Sequence, residues 1–241
     1  DAYTITIAAG DEEVTATNLT ALYGKTSVAV DASAVTQITG TVVEANIVYG
    51  AGDSEIKGLG NEIVVTTENS LTLESTESAG ASTLEKLNTL DNNTVGMVNA
   101  ASIQSITGSL ADLLTAYGSN GITGLGNESI IVSDTTTLAA SDLNSLDSKT
   151  SGLITLDSNL ATLTGTVAAL NTAYGSSGLS IAGDQAITID DKTVDAEILN
   201  VLNNYTSGVI NADNLTKLTG TLADVNVAFA ADAASTATIT G

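Results

Sequence analysis

The amino-acid sequence predicts an α/β repeat solenoid, with short parallel strands stacked on one face and short helices on another. Three observations point there. One twelve-residue phrase is written four times, a second phrase is interleaved with it four times, and short Val/Ile/Thr-rich runs alternate with both.

The first phrase reads ITGTVVEANIVY at 38–49, ITGSLADLLTAY at 106–117, LTGTVAALNTAY at 163–174 and LTGTLADVNVAF at 218–229. Its closing aromatic residues, Tyr49, Tyr117, Tyr174 and Phe229, lie 68, 57 and 55 residues apart. The second phrase reads TALYGKTS at 20–27, NTLDNNTVG at 88–96, NSLDSKTSG at 144–152 and NVLNNYTSG at 200–208. Its leucines Leu22, Leu90, Leu146 and Leu202 lie 68, 56 and 56 residues apart. Two independent markers agree, so the chain reads as one solenoid over 1–241. Its units span about 1–60, 61–126, 127–183 and 184–230, with a terminal strand at 236–240. The second unit carries an insertion of about ten residues within 68–82, expected to protrude from the stack and leave its neighbours in register.

Each element has a local chemical reason. In the first phrase Ser109, matched by Thr41, Thr166 and Thr221, is placed to cap a helix N-terminus. Asp112, Glu44 and Asp224 follow three residues later, close to a capping box and favourable at the positive helix end. Leu110, Leu113, Leu114 and Tyr117 form one apolar stripe. Gly118, Gly50 and Gly175 stand after the aromatic residue, where a left-handed C-cap is expected. In the second phrase the pairs Leu19/Leu22, Leu87/Leu90, Leu143/Leu146 and Leu199/Leu202 mark a shorter helix. Between the helices lie strand-like runs at 3–7, 27–31, 62–67, 96–100, 129–133, 152–157, 186–190, 208–212 and 236–240. The order is strand, turn, capped helix and Gly loop, eight times over, with a ninth strand to close. Links this short imply a parallel sheet with right-handed crossovers. A parallel β-helix is the alternative, should the short helices be turns.

Composition removes whole classes of function. There is no Cys, His, Pro or Trp, and all six basic residues are Lys (25, 57, 86, 149, 192 and 217). Thiol nucleophiles, Ser-His-Asp triads and zinc or copper sites built on Cys and His are therefore excluded. At a net charge of −22 and without Arg, nucleic acid is not an expected partner. No apolar run approaches the roughly 20 residues that cross a bilayer, so direct membrane insertion is not expected. An acidic, Thr/Ser/Asn-rich surface suits extracellular, saline water, where repulsion is screened over about 10 Å or less. The opening DAYTITI reads either as a mature terminus or as an excised piece.

No catalytic or cofactor-binding residues are expected. The repeated Tyr and Leu positions read as core, although a Tyr stripe could also line a sugar-binding surface. GITGLGNE (121–128) and KGLGNE (57–62) resemble phosphate loops, but they precede strands and lack GK[ST], so they read as tight turns. Asp190, Asp191, Asp195 and Glu197 fall within eight residues and are the Ca²⁺ candidates, without EF-hand or nonapeptide spacing. A solvated acidic face is the alternative for them. Carboxylate pairs also serve glycoside hydrolysis. In the irregular segment 68–82, Glu68, Glu74 and Glu77 have no aromatic subsites beside them.

The phrases LTGTLADVN, NTAYGSSG, GITGLGNE and NSLDSKTSG together resemble the tandem repeats of giant secreted cell-surface proteins of marine unicellular cyanobacteria. That group includes the type associated with swimming motility, and similar repeats occur in other large bacterial adhesins. The resemblance covers nearly the whole chain and implies a surface-exposed, non-enzymatic, structural role. It brings no active residues with it, and the insertion and shortened fourth unit depart from a perfect array. The expected function is a structural segment of a surface protein or filament, serving as spacer, coat or adhesive stalk. A carbohydrate-binding or carbohydrate-cleaving solenoid is the alternative, with polysaccharide as the contact. The stretch opens and closes on the same repeat phase, YTITI and TATIT. Both ends are therefore expected to be covered, by further repeats or by identical subunits head to tail, with Ile5, Ile7 and Ile239 facing a shared core.

Overall fold

The computed structural model of the chain describes residues 2–72, 82–234 and 239–240. Most of the predicted insertion, including Glu74 and Glu77, lies outside the described residues. The chain forms two compact units, Asp1–Ser129 and Ile130–Gly241.

The first unit begins with β1 (Glu13–Thr15), α1 (Ala16–Tyr23), β2 (Val30–Asp31), β3 (Gln37–Gly40), α2 (Val42–Ala51), β4 (Ile56–Lys57) and β5 (Ile63–Thr66). It continues with β6 (Ser70–Leu71), α3 (Thr83–Asn93), β7 (Val98–Asn99), β8 (Ser105–Gly108), α4 (Leu110–Gly118) and β9 (Ile122–Thr123). The second unit begins with β10 (Ser129–Val132), β11 (Thr137–Ala139), α5 (Ala140–Asp147), β12 (Ile154–Leu156), β13 (Thr162–Gly165), α6 (Val167–Gly175) and β14 (Leu179–Ser180). It ends with β15 (Ala186–Ile189), β16 (Thr193–Asp195), α7 (Ala196–Tyr205), β17 (Ile210–Asn211), β18 (Lys217–Thr219), α8 (Leu222–Ala234) and β19 (Ile239–Thr240).

The fold is an α/β repeat solenoid in which the strands pair in parallel, as β1 with β3 and β13 with β15. Among the described residues there are eight helices and nineteen strands. Eight of the nine predicted runs contain one of these strands, the run 3–7 makes only a single bridge from Thr6 to Asp31, and eleven strands are additional. The additional ones are two to four residues long and include the openings of the first phrase, QITG, SITG and TLTG. Strands this short show no period-two pattern of their own; pairing with the neighbouring turn makes them.

Each turn of chain has three places, and the elements fill them in order. In the first unit one place holds the ladder β1-β3-β5-β7-β9. The next place holds α1 and α2, then β6 and β8. The last holds β2 and β4, then α3 and α4. The second unit follows the same rule, with the ladder β11-β13-β15-β17-β19 in one place. A second place there holds α5 and α6, then β16 and β18. A third holds β10, β12 and β14, then α7 and α8. The sequence repeat thus contains seven elements and a turn contains three. A repeat makes two and a third turns, so within each unit the second helix pair sits one place further round than the first. The mismatch explains why a repeat of 57 residues coexists with pairing partners such as Val14 and Ile38, only 24 residues apart.

The core is the inward residue of each ladder: Ile38, Val64 and Val98 in the first unit, Leu163, Ile187 and Ile210 in the second, all fully buried. Leu90, Leu146 and Leu202 join them from the helices, also fully buried, each contributing about 1.5–3 kcal/mol. Leu22, predicted to be core with them, is only half-buried because its helix lies in the first rung.

Helix caps follow the sequence at one end and depart from it at the other. Thr41 and Glu44 form a complete capping box, and Ser109, Thr166 and Thr221 each accept from the backbone N–H three residues on. The predicted left-handed glycine caps do not form. Gly50 lies inside α2, Gly118 and Gly175 are the last residues of α4 and α6, and none has a positive φ. The chain leaves instead through Ser119 and Ser176 in extended conformation. Each of these hydroxyls donates to a helix carboxylate, Asp91 and Asp147, at 2.7 Å. Glycine is required elsewhere, by close approach. A Cβ at Gly96 or Gly208 would fall 2.0 Å from the carbonyl oxygen of Glu62 or Gln185.

Candidate assembly surfaces

The repeated tyrosines sit near the ends of α2, α4 and α6, half-buried, and the first two reach the loop before the next long strand. Tyr49 donates to the Glu62 carboxylate at 3.0 Å, and Tyr117 to Glu128 at 2.5 Å. Both carboxylates are buried and also accept backbone N–H groups. Glu62 takes Gly60 at 2.7 Å and Asn61 at 3.1 Å; Glu128 takes Gly126 at 2.8 Å and Asn127 at 3.1 Å. The Gly-rich loops that look like phosphate cradles therefore wrap their own glutamate. Burial raises the pKa of the Tyr49 hydroxyl well above the ordinary tyrosine value, and the charge of Glu62 adds to the effect. In the third copy Gln185 replaces the glutamate. Tyr174 stacks on Tyr205 instead, with ring centroids 6.1 Å apart and planes 9° from parallel.

Phe229 breaks the predicted pattern. It was expected to be buried with the three tyrosines, yet it is 73% exposed. Phenylalanine has no hydroxyl to hold a loop carboxylate, and among the described residues no loop folds back over the end of α8.

A second device joins consecutive helices and escaped sequence reading. An asparagine side-chain amide donates to a first-turn carbonyl of the next helix at five junctions. The bonds are Asn46 to Lys86 (2.8 Å), Asn88 to Asp112 (3.1 Å), Asn144 to Ala169 (2.9 Å), Asn171 to Ile198 (2.9 Å) and Asn200 to Asp224 (3.0 Å). Four of the acceptors stand immediately before a buried residue of their helix, Leu87, Leu113, Leu170 or Leu199, and the fifth before the half-buried Val225. The signal is present in the sequence as an Asn three residues before Tyr49 and Tyr174, and as an Asn directly after Leu87, Leu143 and Leu199. It was hidden by reading Asn as a generic polar residue.

The acidic candidates are occupied with capping. Asp191 accepts the N–H of Val167 at 2.7 Å, at the start of α6, as Glu68 does for Val42 at the start of α2. Asp195 is the N-cap of α7 and accepts from Glu197 N–H at 2.9 Å. The structure does not bring Asp190, Asp191, Asp195 and Glu197 together as an ion cage. Among the described residues no cluster of three or more His, Cys, Asp or Glu could hold a metal.

Of the predicted junction residues, Ile5 and Ile7 are half-buried in an extended segment beside β2. There Ile7 N–H donates to Asp31 and Asp31 N–H to Ile5, both at 2.9 Å. Ile239 pairs with Ile210 in β19. Beside the N-terminal rung lies an open cleft of about 310 Å³, lined by Ile7, Val14, Leu19, Leu22, Asp11 and Asn18. No helix among the described residues is long and apolar enough to cross a membrane.

No protein-family model matches the chain, no characterised protein matches its sequence, and no solved structure matches it. Chemically, the arrangement holds one turn of chain to the next. The recurrent polar groups face each other within and between rungs.

Proposed function

We propose that this chain is a non-enzymatic structural repeat segment of an extracellular surface protein or filament, acting as spacer, coat or adhesive stalk. One observation carries the reading: the polar residues that recur with the repeat are spent on joining rungs. Tyr49 and Tyr117 clasp loop carboxylates, five asparagines tie helix to helix, and Glu68 and Asp191 cap helices one turn away. Tyrosines laid out for sugar stacking would instead present their faces to solvent, whereas Tyr49, Tyr117 and Tyr174 are turned into the rungs. The net charge of −22 suits a surface held in saline water.

The test is location. Antibodies raised against the 241-residue chain should label intact, unpermeabilised source cells or the filaments they shed. Labelling that appears only after permeabilisation would overturn the reading. Saturable binding or cleavage of a polysaccharide by the purified chain would favour the carbohydrate-directed alternative.

A further inference from the structure

Two faces of the molecule lack the neighbour that their internal counterparts have. The first is the rung of β18 and α8. Inside each unit the strand that opens the first phrase is paired on both edges: β3 with β1 and β5, β13 with β11 and β15. Their counterpart β18 pairs with β16 alone among the described residues. Leu222, at the start of α8, is 78% exposed, while the matching Val42 and Val167 are fully buried. Asn226 matches Asn46 and Asn171 but is exposed and makes no bond to another helix among the described residues. The second face is the N-terminal rung. Residues 3–7 correspond to β5 and β15, and like them they pair on one edge with the strand after the next helix, here β2 through Thr6 and Asp31. The other edge, which in β5 meets β3 and in β15 meets β13, is open.

We propose that these faces bind one another between two copies of this chain, head to tail. The internal copies supply the register. Leu163 pairs with Ile187 and Thr164 with Thr188, so Leu218 pairs with Ile5 and Thr219 with Thr6 of the second copy. Asn46 and Asn171 bond the carbonyls just before Leu87 and Leu199, so Asn226 bonds the Asn18 carbonyl just before Leu19. The second copy's α1 then lies against α8 as α7 lies against α6, and Leu222 leaves solvent. Strand addition supplies the backbone bonds and the helix pair supplies the apolar contact. The contact is heterologous and leaves the same two faces free at the far ends, so it propagates as a filament. This inference rests on the structural reading of the chain and names the partner as the chain itself.

The experiment uses the whole chain, which contains no cysteine. Thr6→Cys and Thr219→Cys proteins are prepared separately, mixed and oxidised mildly. A disulfide-linked heterodimer should form in the mixture, with neither protein alone giving comparable crosslinking. In parallel, the weight-average mass of the wild-type chain is followed by sedimentation and should at least double between about 1 µM and about 100 µM. Thr6→Pro removes an N–H that faces away from β2 and leaves the Ile5 and Ile7 bonds to Asp31 in place. It should weaken association at least tenfold with an unchanged melting midpoint. A monomer throughout, a closed dimer, the absence of mixed crosslinks or a Thr6→Pro protein that assembles normally would each overturn the proposal. None of these results would move the antibody label on cells, so failure here leaves the structural reading standing.

Discussion

The tyrosine clasp of the second repeat and its counterpart in the third occupy the same place by different chemistry. In the second, Tyr117 and two backbone N–H groups converge on the buried Glu128 carboxylate. In the third, Gln185 accepts only from Gly183 N–H at 3.1 Å, and its Nε2 and the Tyr174 hydroxyl are buried without hydrogen-bond partners. What the third copy has instead is the stack of Tyr174 on Tyr205. Hydrogen bonds to a charged group contribute about 1.5–3 kcal/mol each, and an aromatic pair about 0.5–1.5 kcal/mol beyond its burial. The repeat therefore requires a ring at this position to close the rung, while the polar half of the clasp can be exchanged for apolar contact. A repeat defined by shape tolerates sequence drift that one defined by a catalytic constellation would not.

The most severe test of that contrast is to remove the loop side chains. Glu128→Ala leaves two part-buried N–H groups and a phenol without their charged acceptor and should cost about 3–5 kcal/mol. Gln185→Ala loses one ordinary bond together with an unpaired amide and should cost about 1 kcal/mol. Urea unfolding of the two variants measures the difference, and equal losses would mean that the two clasps are energetically alike.

The hydroxyls give a smaller and opposite pair. Tyr117→Phe removes a bond to a charged acceptor and should destabilise by about 1.5–3 kcal/mol. Tyr174→Phe removes a buried hydroxyl that has no partner while keeping the stack. It should be neutral or stabilising by up to about 1 kcal/mol, since burying an unbonded hydroxyl is itself costly. A loss of more than 1 kcal/mol in Tyr174→Phe would show that its hydroxyl is satisfied in solution.

Much of the fold is legible in the sequence because it is written several times. The helix starts at Thr41, Ser109, Thr166 and Thr221 follow from cap chemistry, and the fully buried Leu90, Leu146 and Leu202 follow from their spacing. The short strands were not legible, because two to four residues carry no periodicity and become strands only when a neighbouring turn pairs with them. The three-place turn was hidden for a related reason: it concerns how seven elements fit a cycle of three, which no local pattern records. Glu62 and Glu128 stand in GLGNE, which reads as a tight turn and carries no local sign that its glutamate is buried. Their burial depends on a tyrosine eleven to thirteen residues earlier, brought over them by the helix end. Phe229 was misjudged because the phrase repeats faithfully while its surroundings do not.

The smallest expected effects distinguish the buried clasp from a surface cap through pH. Tyr49 is held neutral by burial foremost, so its pKa lies above the ordinary value of about 10. The resulting stability is complete below about pH 10 and is lost as pH rises, because the unfolded chain ionises first. Glu44 lies on the other side of neutrality. The Thr41 backbone N–H foremost, then the Thr17 hydroxyl, lower its pKa below the ordinary glutamate value of about 4.3. Its contribution is complete above that value and fades as pH falls through the lowered one. Tyr49→Phe should therefore flatten the alkaline limb of a melting-midpoint profile and leave the acid limb as it was. Glu44→Gln should do the reverse, with the smaller change, because the cap is partly open to solvent and screened. If Glu44→Gln altered the alkaline limb, the capping box and the tyrosine clasp would not be the separate devices that the hydrogen bonds describe.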